Sequence, residues 1–368
     1  MRIAIRWRAA PFLLAALMGL ITAVPASAGT SFIGGFSTVT LVGSTVPGNG
    51  DINPYGVAVV PRTTGRLVKG DILVSNFNAA SNLQGTGTTI VELTPGGARR
   101  VFAHVTQRSV AGRCPGGVGL STALVALSSG WVIVGSLPTR NGMASTAKAG
   151  CLIVLDSHGN VAETFAGGPI NGPWDMTAFD SGATAELFVT NVLNGTVAAK
   201  GKVVHRGTVV RLVLQTVGVE APRKLLETVI GSGFAERTDP AALVIGPTGL
   251  ALGPHGTLYV ADTLESRLAA IPSATVRVSS DGIGRTVSSG GSLNGPLGLV
   301  MAPNGDLLTV NAGDGNIVET TRAGVQVDHH TLDGTGGGAG LLFGLAVRPD
   351  ATGIYFVDDG TNVLDLFH

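Results

Sequence analysis

One repeated stretch of sequence determines the fold. Its clearest copy is Gly246-Pro247-Thr248-Gly249-Leu250-Ala251-Leu252, followed by Pro254-His255-Gly256 and Leu258-Tyr259-Val260-Ala261-Asp262. It is typical of a turn, a short apolar strand, a glycine-centred hairpin and a second strand that ends in a small polar residue. The same order recurs at 295–311 and 343–358, and more loosely at 53–76, 124–136 and 172–191. Six copies of one unit predict a repeat architecture.

Each unit continues with two further apolar stretches, such as 152–155 and 161–165 after the second copy. Four short strands per unit are typical of the blades of a β-propeller, so the sequence predicts an all-β, six-bladed propeller of four-stranded antiparallel blades. The sixth unit stops after its third strand at 363–366, whereas 36–42 forms an unassigned strand. We therefore expect the N-terminal strand to complete the last blade, which would cover an exposed edge.

The repeated residues resemble the NHL repeat and the wider six-bladed propeller group that includes the gluconolactonase and senescence-marker enzymes. The resemblance is carried by Gly249-Leu250-Ala251, the hairpin at 254–256, the strand at 258–262, and an Asn kept at Asn316 and Asn362 but replaced by Ser266. It spans nearly all of the chain after residue 28. It implies the propeller fold strongly and a particular activity only weakly.

The first 28 residues have the three parts of a secretory signal: three arginines, an apolar run from 9 to 24, and Ala26-Ser27-Ala28 before Gly29. We predict a signal peptide at 1–28, one propeller domain at 29–368, and a secreted or periplasmic protein without a membrane span after cleavage. Cys114 and Cys151 are the only cysteines, and an oxidising compartment predicts a disulfide between them.

The charge balance argues against a nucleic-acid partner. The chain has 24 basic and 24 acidic residues, and leaving out the three arginines of the signal gives 21 against 24, a net charge of −3. Nucleic acids are bound through an excess of positive charge on one surface. We expect instead a protein, glycan or small-molecule ligand, and a monomer.

Strand alternation predicts where a ligand would bind. In an antiparallel blade the residues that open the first strand and those that end the second strand lie at the same end, around one mouth of the central channel. That mouth would be rich in oxygen donors, although Asn and Asp in such turns also bond their own backbone. The candidates for a metal site are Asn76, Asp175, Asn191, Asp262, Asn311 and Asp358.

Asp175 is unusual among these candidates, because the matching copies place glycine at its position, as at Gly56 and Gly298. With Asn53, Trp174 and Asn191 it forms the predicted ligand-binding set. Three long insertions after the second strands, at 77–88, 137–150 and 192–206, are predicted to lie over the same mouth and to shape a binding surface.

Resemblance to the gluconolactonase group would imply calcium held by Asn and Asp, with an acidic residue in the first blade. Here that blade offers Asn53 and Asn76 instead. No cofactor is indicated by the residues themselves, and calcium is the ion to expect if a metal is bound. We therefore expect a non-catalytic binding scaffold, with a divalent-metal hydrolase or lyase at the same mouth as the alternative, and no catalytic residue can be assigned.

Overall fold

A computed structural model describes residues 30–110, 113–218, 220–335 and 341–368. The predicted signal peptide and its cleavage site lie outside the described residues. No helix within these ranges is both long and apolar enough to cross a membrane. The described chain forms six antiparallel sheets arranged as the blades of a propeller, which confirms the predicted fold.

The strands follow the blades in chain order. Blade 1 contains β2 (Ile52–Val59), β3 (Ile72–Asn78), β4 (Thr89–Leu93) and β5 (Arg99–His104). Blade 2 contains β6 (Leu120–Ala126), β7 (Val132–Ser136), β8 (Cys151–Leu155) and β9 (Val161–Ala166). Blade 3 contains β10 (Pro173–Asp180), β11 (Thr184–Asn191), β12 (Val204–Gln215), β13 (Arg223–Asp239) and the short β14 (Leu243–Ile245).

Blade 4 contains β15 (Pro247–Leu252), β16 (Leu258–Asp262), β17 (Arg267–Ile271) and β18 (Arg285–Ser289). Blade 5 contains β19 (Pro296–Met301), β20 (Leu307–Asn311), β21 (Asn316–Thr320) and β22 (Gln326–Thr331). Blade 6 contains β23 (Leu342–Val347), β24 (Ile354–Asp358), β25 (Val363–Phe367) and β1 (Val39–Ser44). One short helix, α1 (Thr196–Ala199), lies in the third insertion, and 3₁₀ turns lie at Ala144–Thr146 and Pro254–Gly256.

The ring closes as the sequence predicts. β1 pairs antiparallel with β25, with Val39 opposite Phe367 and Ser44 opposite Val363. The outer edge of the last blade is therefore supplied by the start of the described chain.

The first strand of each blade lies innermost, and these inner strands approach one another closely around the axis. A Cβ added at Gly298 would lie 1.9 Å from the Phe343 carbonyl oxygen, and one at Gly344 would lie 2.4 Å from that of Tyr55. Real Cβ atoms do not come so close to a neighbouring backbone, so this position of the repeat requires glycine in blades 5 and 6. The glycine of the motif is thus explained by packing between blades.

A disulfide joins Cys114 to Cys151 across a sequence separation of 37 residues, with the two Cα atoms 5.5 Å apart. Cys114 lies in the segment between blades 1 and 2, and Cys151 begins β8. The predicted bridge is therefore present, and it fixes the connecting segment to the blade that follows it.

Candidate functional site

Four aromatic side chains fill the centre of the ring at the end where the inner strands begin. Tyr55 stacks on Phe343 with ring centroids 3.7 Å apart and on Phe77 at 4.5 Å. Trp174 meets Tyr55 edge-on at 5.9 Å and Phe77 at 5.7 Å. Tyr55 and Trp174 belong to blades 1 and 3, which are not neighbours, so their contact fills the axis at this level. We call these four residues the aromatic plug.

The aromatic plug separates two cavities. The mouth cavity, of about 370 Å³, lies where the inner strands begin and is lined in part by Tyr55 and Phe343. The tunnel cavity, of about 600 Å³, is lined by the second halves of the inner strands and faces the opposite end of the ring. Gly344, which follows Phe343, already lines the tunnel cavity. A single layer of side chains therefore divides the two.

Amide side chains and one carboxyl group form the polar lining of the mouth cavity. They come from the start of β2, the first insertion and the β24–β25 turn, so the cavity lies off the axis beside blades 6 and 1. Ala241 and Ala242 close its other side. The polar lining residues are Asn53, Asn78, Asn82, Gln84, Asp359 and Asn362.

Asn53 is the centre of the hydrogen bonds in this cavity. Its backbone has a φ of 63°, a left-handed conformation that Asn tolerates better than most residues, and its N–H donates to Asn362 Oδ1 at 2.7 Å. With its amide nitrogen turned toward Asp359, Asn53 donates to Oδ1 at 2.9 Å and Oδ2 at 3.3 Å and accepts from Asn78 Nδ2 at 3.1 Å. That orientation is the one that satisfies both ends of the amide.

Two acceptors in the lining have no donor among the described residues. Asn78 Nδ2 donates to Asn82 Oδ1 at 2.7 Å, but Asn78 Oδ1 is buried without a partner. Gln84 donates through its amide nitrogen to the Ala241 carbonyl, and its Oε1 is likewise buried and unpartnered. Unpartnered buried acceptors are costly, and they favour a ligand or water that supplies hydrogen-bond donors.

Burial changes the acidity of the groups at this cavity. The pKa of Asp359 is raised to about 7, first because burial disfavours the charged carboxylate and second because Asp358 lies close by. Burial also raises the pKa of the Tyr55 hydroxyl well above its usual value, and the Asp359 charge adds to that effect. A carboxyl group that titrates near neutral pH can both accept and donate a proton there.

Long loops surround the mouth cavity at the end of the ring where the inner strands begin. Gln84 of the first insertion bonds Ala241, and the Thr139 amide of the second insertion donates to the Gly85 carbonyl at 2.9 Å. The structure therefore places these insertions over the mouth, as expected. β13 extends to Asp239 and forms a hairpin with β14, and this hairpin, which the repeat does not predict, brings Ala241 and Ala242 to the cavity.

The polar residues that end the second strands serve the turns of their own blades. Asn191 Oδ1 accepts the Asn171 amide at 3.3 Å, and Asn311 Oδ1 accepts the Asn294 amide at 3.1 Å. The same link is made in blade 2, where the Gly119 amide donates to Ser136 Oγ at 3.0 Å. These side chains tie the second strand to the turn that leads into the inner strand.

Three other predicted metal ligands also form hydrogen bonds or ion pairs within the protein. Asn76 donates to the Thr45 carbonyl at 3.1 Å, and Asp262 forms a buried ion pair with Arg267 at 2.8 Å. Asp358 accepts the Thr361 amide at 3.3 Å. Apart from Asp175, none of the six predicted metal ligands lines either cavity, so the structure does not bring the set together. The described residues contain no group of three His, Cys, Asp or Glu arranged for a metal ion.

The predicted ligand-binding residues are divided by the aromatic plug. Asn53 lines the mouth cavity, Trp174 is 1% exposed inside the plug, and Asn191 is fully buried. Asp175 lines the tunnel cavity, on the opposite side from Asn53. Only Asn53 of this set is therefore available at the predicted mouth.

Comparison with known proteins supports the fold. No family model and no curated protein matches the sequence. Among solved structures, a gluconolactonase from Xanthomonas campestris aligns at 12% identity and a TM-score of 0.53, covering 89% of this chain and 88% of that one. A luciferin-regenerating enzyme aligns at 12% and 0.54, covering 90% and 94%. A calcium-binding regucalcin from Agrobacterium tumefaciens aligns at 15% and 0.53, covering 90% and 97%.

What these proteins share is the fold. The neighbours belong to the gluconolactonase-like propeller group, so the resemblance carried by the repeated motif is confirmed at the level of architecture. At such low identity the alignments say nothing about which residues act in this chain.

Proposed function

We propose that this protein binds a small polyhydroxylated molecule, of the size of a monosaccharide or its lactone, in the mouth cavity. The observation that carries the proposal is the lining itself, in which amide groups and one carboxyl surround the cavity above Tyr55 and Phe343. Amides donate and accept, and a carboxylate accepts, so together they match a ring of hydroxyl groups. The volume of about 370 Å³ suits a small ligand.

The unpartnered acceptors strengthen this choice of ligand. Asn78 Oδ1 and Gln84 Oε1 lack donors, and hydroxyl groups would supply them. The aromatic rings of Tyr55 and Phe343 offer an apolar surface for the C–H face of such a ring. An apolar ligand would leave the amides and Asp359 without partners, at a cost in affinity.

Hydrolysis of a bound lactone or ester is the second candidate, and Asp359 favours it. Its pKa of about 7 allows it to take a proton from an attacking water at neutral pH, as a general base does. In this reaction a proton moves from water to Asp359, and the hydroxide adds to the carbonyl carbon. The ring oxygen then leaves with a proton returned from Asp359. Neighbours described as a gluconolactonase and a luciferin-regenerating enzyme support this candidate.

Calcium, which the resemblance implies, does not fit the lining described here. Calcium takes six to eight oxygen ligands, including carboxylates. The mouth cavity offers the single carboxyl of Asp359, which already accepts the Asn53 amide, and the Asn82 and Asn362 oxygens also accept hydrogen bonds. The lining therefore has too few free oxygen ligands for a calcium ion.

We place this binding outside the cytoplasm. The disulfide between Cys114 and Cys151 supports an oxidising compartment, and so does the signal-like sequence at 1–28.

The test is titration calorimetry of the protein with D-glucose and with D-glucono-1,5-lactone, alongside an assay for acid release from the lactone. We expect saturable binding that Asp359→Asn weakens by about ten-fold or more, since a charged or tightly bonded partner is lost. Asp350→Asn is the matched control, because Asp350 is an exposed carboxyl of the same blade at the opposite end.

Acid release above the uncatalysed rate that is lost in Asp359→Asn at saturating lactone, but kept in Asp350→Asn, would assign the hydrolase function. Absence of binding by both compounds would refute the proposed ligand class.

A further inference from the structure

The tunnel cavity is a second candidate site, independent of the proposed function. Its wall comes from the inner strands of all six blades, and the aromatic plug closes its inner end. The volume of about 600 Å³ lies within the range of small-molecule sites in proteins. Most of the wall is aliphatic, with Leu124, Met176, Leu250, Leu299 and Leu345 among the lining side chains.

Two charged groups line this cavity, and both are acidic. Asp180 is the last residue of β10, and its carboxylate already accepts the Ser128 amide at 2.6 Å and the Gly182 amide at 2.8 Å. Asp175 lies deeper, at the position next to Trp174 of the plug. No Lys, Arg or His stands among the lining residues to balance the charge of Asp175.

Asp175 departs from the repeat for no evident packing reason. Pro173 pairs with Asn191 as Pro54 pairs with Asn76, so Asp175 corresponds to Gly56. Its Oδ1 accepts the Met176 amide at 2.8 Å, and its own amide donates to Thr190 Oγ1 at 2.9 Å. Glycine makes the second of these bonds equally well in blade 1, where the Gly56 amide donates to Ser75 Oγ at 3.0 Å.

We propose that the tunnel cavity binds an apolar molecule with one primary amino group, the ammonium resting on Asp175 and the aliphatic part on the inner strands. A half-buried carboxylate without a cation nearby is unfavourable, and a ligand that brings the cation removes that cost. A neutral alcohol with an alkyl chain of the same length would fill the same space but would not bring a cation to Asp175.

The acidity of Asp175 predicts that binding is accompanied by a measurable release of protons. Burial raises its pKa to about 8, against which the Met176 and then the Leu250 backbone amides act. At pH 7 the free carboxyl is therefore mostly protonated. Because an ammonium pairs with the ionised form, binding releases about one proton to the buffer.

The experiment is titration calorimetry at pH 7 with n-hexylamine and n-hexanol, repeated in two buffers of different ionisation enthalpy. We expect the amine to bind about ten-fold more tightly than the alcohol and to release close to one proton. In Asp175→Asn the amine should bind no more tightly than the alcohol, without proton release. Asp359→Asn, in the mouth cavity, should leave both titrations unchanged.

A second variant keeps the test informative if Asp175→Asn unfolds. Ala178 lines the tunnel cavity and is half-buried, so Ala178→Leu should narrow the tunnel and abolish binding of both compounds. Binding that survives Ala178→Leu, equal affinity for amine and alcohol, or no binding at all would each overturn the proposal. Because glucose binding is measured at the other cavity, its failure would leave this result unaffected.

Discussion

The two cavities lie a single layer of side chains apart, yet their chemistry is opposite. The mouth cavity is built by loops and by the polar ends of strands, and its wall is made of amides around Asp359. The tunnel cavity is built by the inner strands alone, and its wall is aliphatic around Asp175. The inner strands of the repeat thus supply an apolar tunnel, whereas departures from the repeat supply the polar groups of both cavities.

Removal of Trp174 should have the largest effect on this arrangement. Its side chain is 1% exposed and contacts Tyr55 and Phe77, so Trp174→Ala leaves a void where the two cavities meet. We expect a loss of about 3–5 kcal/mol in the free energy of unfolding. The measurement is urea unfolding followed by circular dichroism.

Phe179→Ala on the same strand is the control. Phe179 is 50% exposed, so its removal should change the free energy of unfolding by less than about 1 kcal/mol. Equal losses for the two variants would show that the aromatic plug is not a closely packed partition.

The pH dependence of stability should distinguish the carboxyl groups of the two cavities. The pKa values of Asp359 and Asp175 are raised in the folded chain to about 7 and about 8. A raised pKa means that the folded chain holds the proton more tightly than the unfolded chain. The stability it contributes is complete below about pH 4 and is lost as the pH rises through the folded value.

We therefore expect the melting temperature to fall between pH 5 and pH 9, since each unit of pKa difference corresponds to about 1.4 kcal/mol. Glu236 and Asp365, with pKa values of about 8 and about 6, contribute in the same direction. Asp359→Asn should remove the part of the fall that ends near pH 7, and Asp175→Asn the part that ends near pH 8. A stability that rises across this range would contradict the raised values.

Calcium should produce the smallest effect, and it should not distinguish the cavities. Because the mouth cavity has one carboxyl and the tunnel cavity is mainly aliphatic, millimolar calcium added after chelation should shift the melting temperature by less than about 1 °C. Differential scanning fluorimetry measures this shift. A saturable rise that Asp359→Asn abolishes would instead support a metal-dependent enzyme at the mouth.

The fold was predictable from the sequence because the repeat is local. Each copy, such as 246–262, contains its own turn, inner strand and hairpin, so its pattern specifies one half of a blade without knowledge of the rest. Strand alternation within each copy likewise predicts that Asn53 lies at one mouth. Ring closure by β1 also followed, because the last unit lacked one strand.

The candidate site was predictable only in part, because its residues do not repeat. Asn78, Asn82 and Gln84 come from an insertion whose path depends on contact with Ala241, far away in sequence. Trp174 is predicted to bind a ligand at the mouth, but contacts between non-neighbouring blades bury it. Asn191 and Asn311, in contrast, belong to the repeated motif. Their side chains accept hydrogen bonds from the turns of their own blades and do not line the site.

The pairing of β1 with β25 also determines how the ring would respond to force. Val39, which begins β1, faces Phe367, which ends β25, so the segments that flank this pair leave from the same end of it. A pull applied through those two segments would load the hydrogen bonds of the pair one after another, because they run perpendicular to antiparallel strands. The β1–β25 pair would open bond by bond from this end, once the bonds of Ser31, Phe32 and Ile33 to Glu319 of blade 5 had broken.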